Sequence, residues 1–155
     1  MTHHQILQAA GVSVELTGEE AGKQISNLEI GWAYVDQSQF CPSLFGMAEF
    51  RKKIVKRAAI STAEVLTGPV RGRNKTHLLT GYVHNEYPPI YTMLARHSGF
   101  NSAFLMRGTE GGVTPSLCKR GEFVRYWAQS KDVVVEADPS KIGIEQENRL
   151  VPIAH

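Results

Sequence analysis

The stretch between residues 77 and 107 restricts the fold more than any other part of the chain. Two short, almost wholly apolar runs, residues 77–84 (HLLTGYVH) and 103–107 (AFLMR), flank a segment that opens on Pro88-Pro89 and closes on Gly99. Apolar runs of this length, bounded by turn residues, read as strands. Proline is tolerated in a helix's first turn but not in its interior. The intervening segment therefore reads as a helix from about Pro88 to His97, with Ile90, Met93 and Leu94 on its apolar side. Strand, helix and strand in that order predict an α/β layer with parallel pairing.

The rest of the chain fits around this unit. Residues 3–10 suit a short amphipathic helix closed by Gly11, and Thr17 with Glu20 forms a capping box for a helix reaching about Asn27. Residues 30–36 (IGWAYVD) read as a strand, with Trp32 and Tyr34 as core. Pro42 opens a helix to about Lys53, and Ser61 or Thr62 caps a brief one that stops near Gly68-Pro69. Residues 122–128 and 132–136 supply two further strands. The expected fold is a single α/β domain over 1–155, with a mixed, mainly parallel sheet flanked by helices. Ligands in such sheets gather beyond the carboxyl ends of the strands. That singles out the loops after Asp36 and His84, and residues 108–116.

No apolar run approaches the roughly 18 residues that span a bilayer, and no signal peptide opens the chain. Cys41 and Cys118 are too far apart for a zinc or redox motif, so both read as idle thiols in a reducing cytoplasm. The histidines show no HxxxH or HExxH spacing, which argues against a metal site. Charge is the stronger signal. Arg51, Lys52, Lys53, Lys56, Arg57, Arg71, Arg73 and Lys75 stand against Glu64 alone, a local excess of 8 − 1 = +7 in a chain whose net charge is +2. Such a segment suits a phosphate or a nucleic-acid backbone, or the solvated seam of a larger protein. No aromatic ring lies inside it, which speaks against base stacking there.

The order LQAAGV, IGWAYVD, FRKKIVKR, TGPVRGRNKTHLLTGYVHNEY, GFNSAFLMRGTEGG and KIGI resembles the middle and later part of the anthranilate phosphoribosyltransferases, within glycosyltransferase family 3. Each piece is weak alone, and their colinear order carries the resemblance. It covers about residues 5–144. It implies a nucleoside phosphorylase/phosphoribosyltransferase-type catalytic domain, here a fragment. The helical N-terminal domain and the glycine-rich donor loop that family members place upstream are not in this sequence. It also implies that Arg51 binds the acceptor, since a guanidinium can grip an aromatic acid's carboxylate through a bidentate fork. Gly68-Pro69 match the family hinge. Residues 108–111 match the strand-end turn, where glycine lets backbone approach a ligand, so Gly108, Glu110 and Gly111 are expected pocket residues. His84, at a strand's carboxyl end beside Asn85 and Glu86, is expected to join them.

The chain departs from the family in two places. Where the enzymes carry a magnesium-binding Asp-Glu pair, it offers Val113 and Thr114, with Glu110 matched to the earlier acid. The residues after the hinge are Arg71-Gly72-Arg73 instead of Asn-Pro-Ala. Both departures point to the family's divergent branch. Two functions follow. In the first, a parent protein moves phosphoribosyl from its pyrophosphate donor to an aromatic acceptor, with magnesium needed only by that full-length parent. In the second, a non-catalytic protein uses the 51–75 segment to bind DNA or RNA. This chain alone is expected to be inactive, without a cofactor of its own, cytoplasmic, off the membrane and homodimeric through its open sheet edges and apolar faces. No residue is singled out as catalytic.

Overall fold

The computed structural model describes residues 2–54, 59–108 and 112–147. The chain divides into two units, Met1–Gly72 and Arg73–His155. No described helix is long and apolar enough to cross a membrane.

The first unit is a series of short helices: α1 (His3–Ala9), α2 (Gly18–Ser26), α3 (Gln37–Phe40), α4 (Pro42–Gly46), α5 (Ala48–Lys52) and α6 (Ile60–Glu64). Capping starts several of them. Thr17 Oγ1 accepts from the Glu20 N–H at 3.3 Å, and Glu20 Oε2 accepts from the Thr17 N–H at 2.8 Å, the capping box expected from the sequence. Thr2 and Gln5 repeat the device at α1. Asp36 caps α3 through the Ser38 N–H. The helix expected from Pro42 to about Lys53 breaks into α4 and α5 at Met47. Residues 31–36 are not a strand, because an extended run needs a partner edge and this one forms no ladder. The Gln24 side-chain amide bonds the Trp32 carbonyl at 3.1 Å instead, and the Trp32 ring is half exposed, so it is not core.

The second unit holds β1 (His77–Gly81), α7 (Tyr87–His97), β2 (Ser102–Met106), β3 (Gly121–Trp127), β4 (Val133–Ala137) and a 3-10 turn, Pro139–Ile142. The sheet has four strands in the order β1-β2-β3-β4. β1 and β2 are parallel around the α7 crossover, as the sequence predicts. β2–β3 and β3–β4 are antiparallel, so a mainly parallel sheet is not what these strands form. A parallel return needs a crossover, usually a helix. None is described between β2 and β3, and only residues 128–132 join β3 to β4.

Strand alternation sorts the side chains onto two faces. Leu78, Thr80, Ala103, Leu105, Val124 and Tyr126 point to the face covered by α7, whose own buried residues are Pro88, Tyr91, Thr92 and Ala95. His77, Leu79, Phe104, Met106, Phe123, Arg125, Trp127, Val133 and Val135 share the other face. Of these, His77, Leu79, Arg125, Trp127 and Val133 are exposed.

Candidate functional site

The basic segment is divided between the two units. Arg51 lies on α5, where its guanidinium pairs with the Glu64 carboxylate of α6. The second Glu64 oxygen, Oε1, is buried without a hydrogen-bond partner among the described residues. An acceptor carboxylate reaching Arg51 would have to displace Glu64. Lys52 ends α5, and Lys53 is exposed just after it. Arg71 is exposed and folds back over Gly68, whose φ of +52° suits glycine. A Cβ at Gly68 would lie 3.0 Å from the Arg71 Cζ. Arg73 and Lys75 are exposed and open the second unit. Lys56 and Arg57 lie outside the described residues.

The carboxyl ends of β1 and β2 carry the other expected site. His84 is exposed in the turn before α7, its ring 6.0 Å from that of Tyr87. Helix N-termini bind anions through free N–H groups. The first three residues of α7 are Tyr87, Pro88 and Pro89, and the prolines have none to offer. Gly108 follows β2, and a Cβ there would collide with the Gly112 carbonyl and lie 3.1 Å from the Thr114 nitrogen. The turn therefore closes backbone on backbone, which only glycine allows. Glu110 and Gly111 lie outside the described residues. Neither side chain carries a carboxylate, Val113 being apolar and Thr114 offering only a hydroxyl, so these two positions do not fit the magnesium ion that the resemblance implies. No three His, Cys, Asp or Glu side chains gather as a metal site among the described residues.

Three polar clusters escaped the sequence reading. Asp36 accepts from Ser38 Oγ at 2.6 Å, the Ser38 N–H at 3.0 Å and Tyr34 Oη at 3.2 Å, and lies 3.1 Å from His4 Nδ1. Burial opposes its charge, but these bonds, led by Ser38, hold its carboxyl below the usual aspartate range. Asp132 accepts from Thr92 Oγ1 at 2.6 Å and Arg96 Nη2 at 2.7 Å, tying α7 to the β3–β4 connection. Asp138 caps the 3-10 turn. The Ser140 hydroxyl, then its N–H, then Arg120 and Lys141 hold its carboxyl low against burial. Arg120 Nε stands 2.7 Å from its Oδ2, near enough for an ion pair but not aligned as a hydrogen bond. The Asp-x-Ser pattern of residues 36–38 and 138–140 was the available signal. The Asp132 clamp, made across 40 and 36 positions, left none. A cavity of about 600 Å³ opens beside Leu117, Arg120, Asp138 and Ile144, and none of the expected site residues lines it.

The open sheet face holds a ring cluster that sequence reading also missed. Ser102 lies between His77 and Trp127 in the register, and over this small residue the two rings stack, 5.2 Å apart at 19°. His77 Nδ1 reaches Ser102 Oγ at 2.6 Å, and Lys75 Nζ lies 5.4 Å from the Trp127 ring. Phe104 and Phe123 stack at 4.3 Å on the same face. The alternation of FVRYW (residues 123–127) hinted at this face, but only the register assembles it.

No family model matches the chain. A protein of Desulforamulus reducens named anthranilate phosphoribosyltransferase is 27% identical over 148 residues, covering 91% of this chain and 39% of the relative. A protein of the same name from Ralstonia pickettii is 26% identical over 153 residues, covering 96% and 42%. An uncharacterized protein of Aquifex aeolicus is 24% identical over 147 residues, covering 93% and 44%. The chain spans less than half the length of each of these relatives. Over that span it is distantly related to proteins named anthranilate phosphoribosyltransferase.

Proposed function

We propose that this chain is part of a phosphoribosyltransferase-like protein and has no transferase activity by itself. One observation carries the reading: two proteins named anthranilate phosphoribosyltransferase align with more than nine-tenths of the chain. The parent would move phosphoribosyl from its pyrophosphate donor to an aromatic acceptor, by positioning the two and stabilising charge on the departing pyrophosphate. Of the groups in this chain, Arg51 has the chemistry to hold an acceptor carboxylate, once Glu64 releases it. The turn at Gly108 would bring backbone close to the ligand.

Inactivity of the chain follows from what stands at the donor end. Charge on a leaving pyrophosphate is normally met by magnesium on carboxylates, and Val113 and Thr114 cannot provide them. Two measurements test the reading. Intact-mass analysis of the native protein is expected to find a longer polypeptide carrying a glycine-rich donor loop, and a native chain ending at these 155 residues would sink the transferase parentage. Incubating the 155-residue chain with anthranilate, the pyrophosphate donor and magnesium is expected to give no product, and measurable turnover would overturn the inactivity.

A further inference from the structure

We infer that Glu64 is the gatekeeper of the Arg51 site: an internal carboxylate that holds the guanidinium until a planar aromatic acid, offering two oxygens, takes its place. The inference rests on the reading of Arg51 as an acceptor ligand, and it adds what decides which acceptors reach that ligand.

Sequence and local structure supply the first argument. Between residues 51 and 75 Glu64 is the only acid among eight basic residues, and it goes to Arg51. Nothing in α6 itself asks for a carboxylate at that position. Glu64 is the last residue of the helix, the end where a cation is favoured and an anion is not. Its backbone carbonyl already accepts from the Thr67 hydroxyl at 2.7 Å. The place of the side chain is set by the guanidinium on α5, 13 positions earlier.

The geometry of the pair supplies the second. Glu64 meets Arg51 through one oxygen, Oε2, on Nη1. Its other oxygen, Oε1, is buried without a hydrogen-bond partner among the described residues, an arrangement that costs stability. A carboxylate on a rigid aromatic ring can instead meet the guanidinium fork with both oxygens. The exchange adds a second charge-assisted bond at Arg51 and lets Glu64 turn its orphan oxygen to water. The Arg51 side chain is 31% exposed, so a small acid can reach it from solvent.

Selectivity follows from the competition. A tethered carboxylate competes as if present at roughly millimolar concentration. A neutral ring has no charge with which to displace it, and an anion that binds through a single oxygen only matches it. The site therefore admits aromatic acids that grip both prongs and turns away neutral acceptors.

The test uses the 155-residue chain and anthranilate, whose own fluorescence reports binding. Glu64→Gln keeps the size of the side chain and removes its charge. It should tighten anthranilate binding by roughly tenfold or more, because a site competent for a small fraction of the time loses affinity by that fraction. Glu64→Ala should do the same, which guards against an amide that still holds Arg51. Benzamide, the uncharged analogue, should gain in neither variant. Arg51→Lys, which keeps the charge but loses the fork, should cancel the gain when combined with Glu64→Gln. In the wild-type chain the carboxyl-carbon NMR signal of Glu64 should shift as anthranilate is added, a readout that needs no variant. A pair that is merely structural predicts the reverse, stability lost and no affinity gained. Three results overturn the inference. Binding that is lost in Arg51→Gln but tightened by neither Glu64 variant keeps Arg51 as the acceptor ligand and removes its gatekeeper. An equal gain for benzamide removes the selectivity. Binding that ignores Arg51→Gln, or no binding in any form, removes the reading of Arg51 and the inference with it.

Discussion

The two units of this chain are held together by different physics. In the second, α7 and one face of the sheet enclose Leu78, Tyr82, Tyr91, Ala95, Phe100, Ala103, Leu105, Val124 and Tyr126. In the first, the buried apolar residues among those described are Val14, Ala21 and Leu66, while Ile6, Leu28, Trp32, Phe45 and Phe50 stand exposed. Fully burying one large apolar side chain stabilises by about 1.5–3 kcal/mol, whereas a helix cap contributes about 1 kcal/mol. Capping boxes at α1 and α2 can start helices, but they cannot stand in for a core. Among the described residues the first unit therefore leaves large apolar side chains such as Leu28 and Phe50 in solvent and relies more on local bonds than on a core.

The sharpest test of this contrast is a pair of truncations. Leu105 is 0% exposed in an inner strand, and Leu28 is 100% exposed. Leu105→Ala should cost about 2–5 kcal/mol through lost burial and the cavity left behind. Leu28→Ala should stay within about 0.5 kcal/mol. Urea unfolding with amide exchange as the probe reads both. Amides of β1–β3 should also be the most protected of the chain, and those of α1–α6 should exchange early. Equal costs for the two truncations, or equal protection, would break the comparison.

A smaller effect probes how α7 is seated on the sheet. Asp132→Ala removes the acceptor for Thr92 Oγ1 and Arg96 Nη2 at once. Thr92 is 1% exposed, so its hydroxyl keeps only the 3.1 Å bond to the Pro89 carbonyl, and Arg96 keeps the Ser130 carbonyl at 2.9 Å and its stack on Tyr126. The expected loss is about 1–2 kcal/mol, set by the buried Thr92 hydroxyl, because the Arg96–Asp132 pair is about a third exposed and screened by solvent. Asp132→Asn, which still accepts hydrogen bonds, should recover part of it. No loss in either variant would show that apolar packing alone seats the helix.

Elements whose signal is local were legible in the sequence. The Thr17–Glu20 box needs four consecutive residues, and Pro88-Pro89 with Gly99 frames α7 to within a residue at its start. The parallel β1–β2 pair follows from the crossover between them. Residues 30–36 misled because a strand is a property of two partners, and composition shows only one. The antiparallel return of β3 was hidden for a similar reason, since a glycine-rich connection does not declare its direction. At the candidate site the linear count of basic residues could not reveal that Arg51 is taken by Glu64, 13 positions on. Nor could it place Trp127 beside Lys75, 52 positions earlier, because register across three strands makes that contact.

The smallest effect sharpens the picture of the first unit as one ordered by polar bonds. Asp36 binds its proton less readily in the folded chain than an ordinary aspartate, whose pKa is about 3.9. The unfolded state therefore takes up more protons in the range just below that value, and stability rises with pH there. The contribution is fully present above about pH 4 and is lost as pH falls through the lower, folded value. Asp138 adds a slope of the same sign in the second unit, led by its bond from Ser140, so the total must be divided. Glu20, held low by its bonds with Thr17, adds a slope of the same sign in the first unit. Asp36→Asn should therefore remove only the Asp36 share while leaving those of Glu20 and Asp138, and should cost about 1 kcal/mol at neutral pH, as a weakened cap does. Following the Ser38 amide by NMR between about pH 5 and about pH 2, the range over which carboxylates titrate, separates them. If the Ser38 amide titrates unchanged in Asp36→Asn, the cap does not hold α3, and the first unit's order must come from the few apolar contacts around Val14, Ala21 and Leu66.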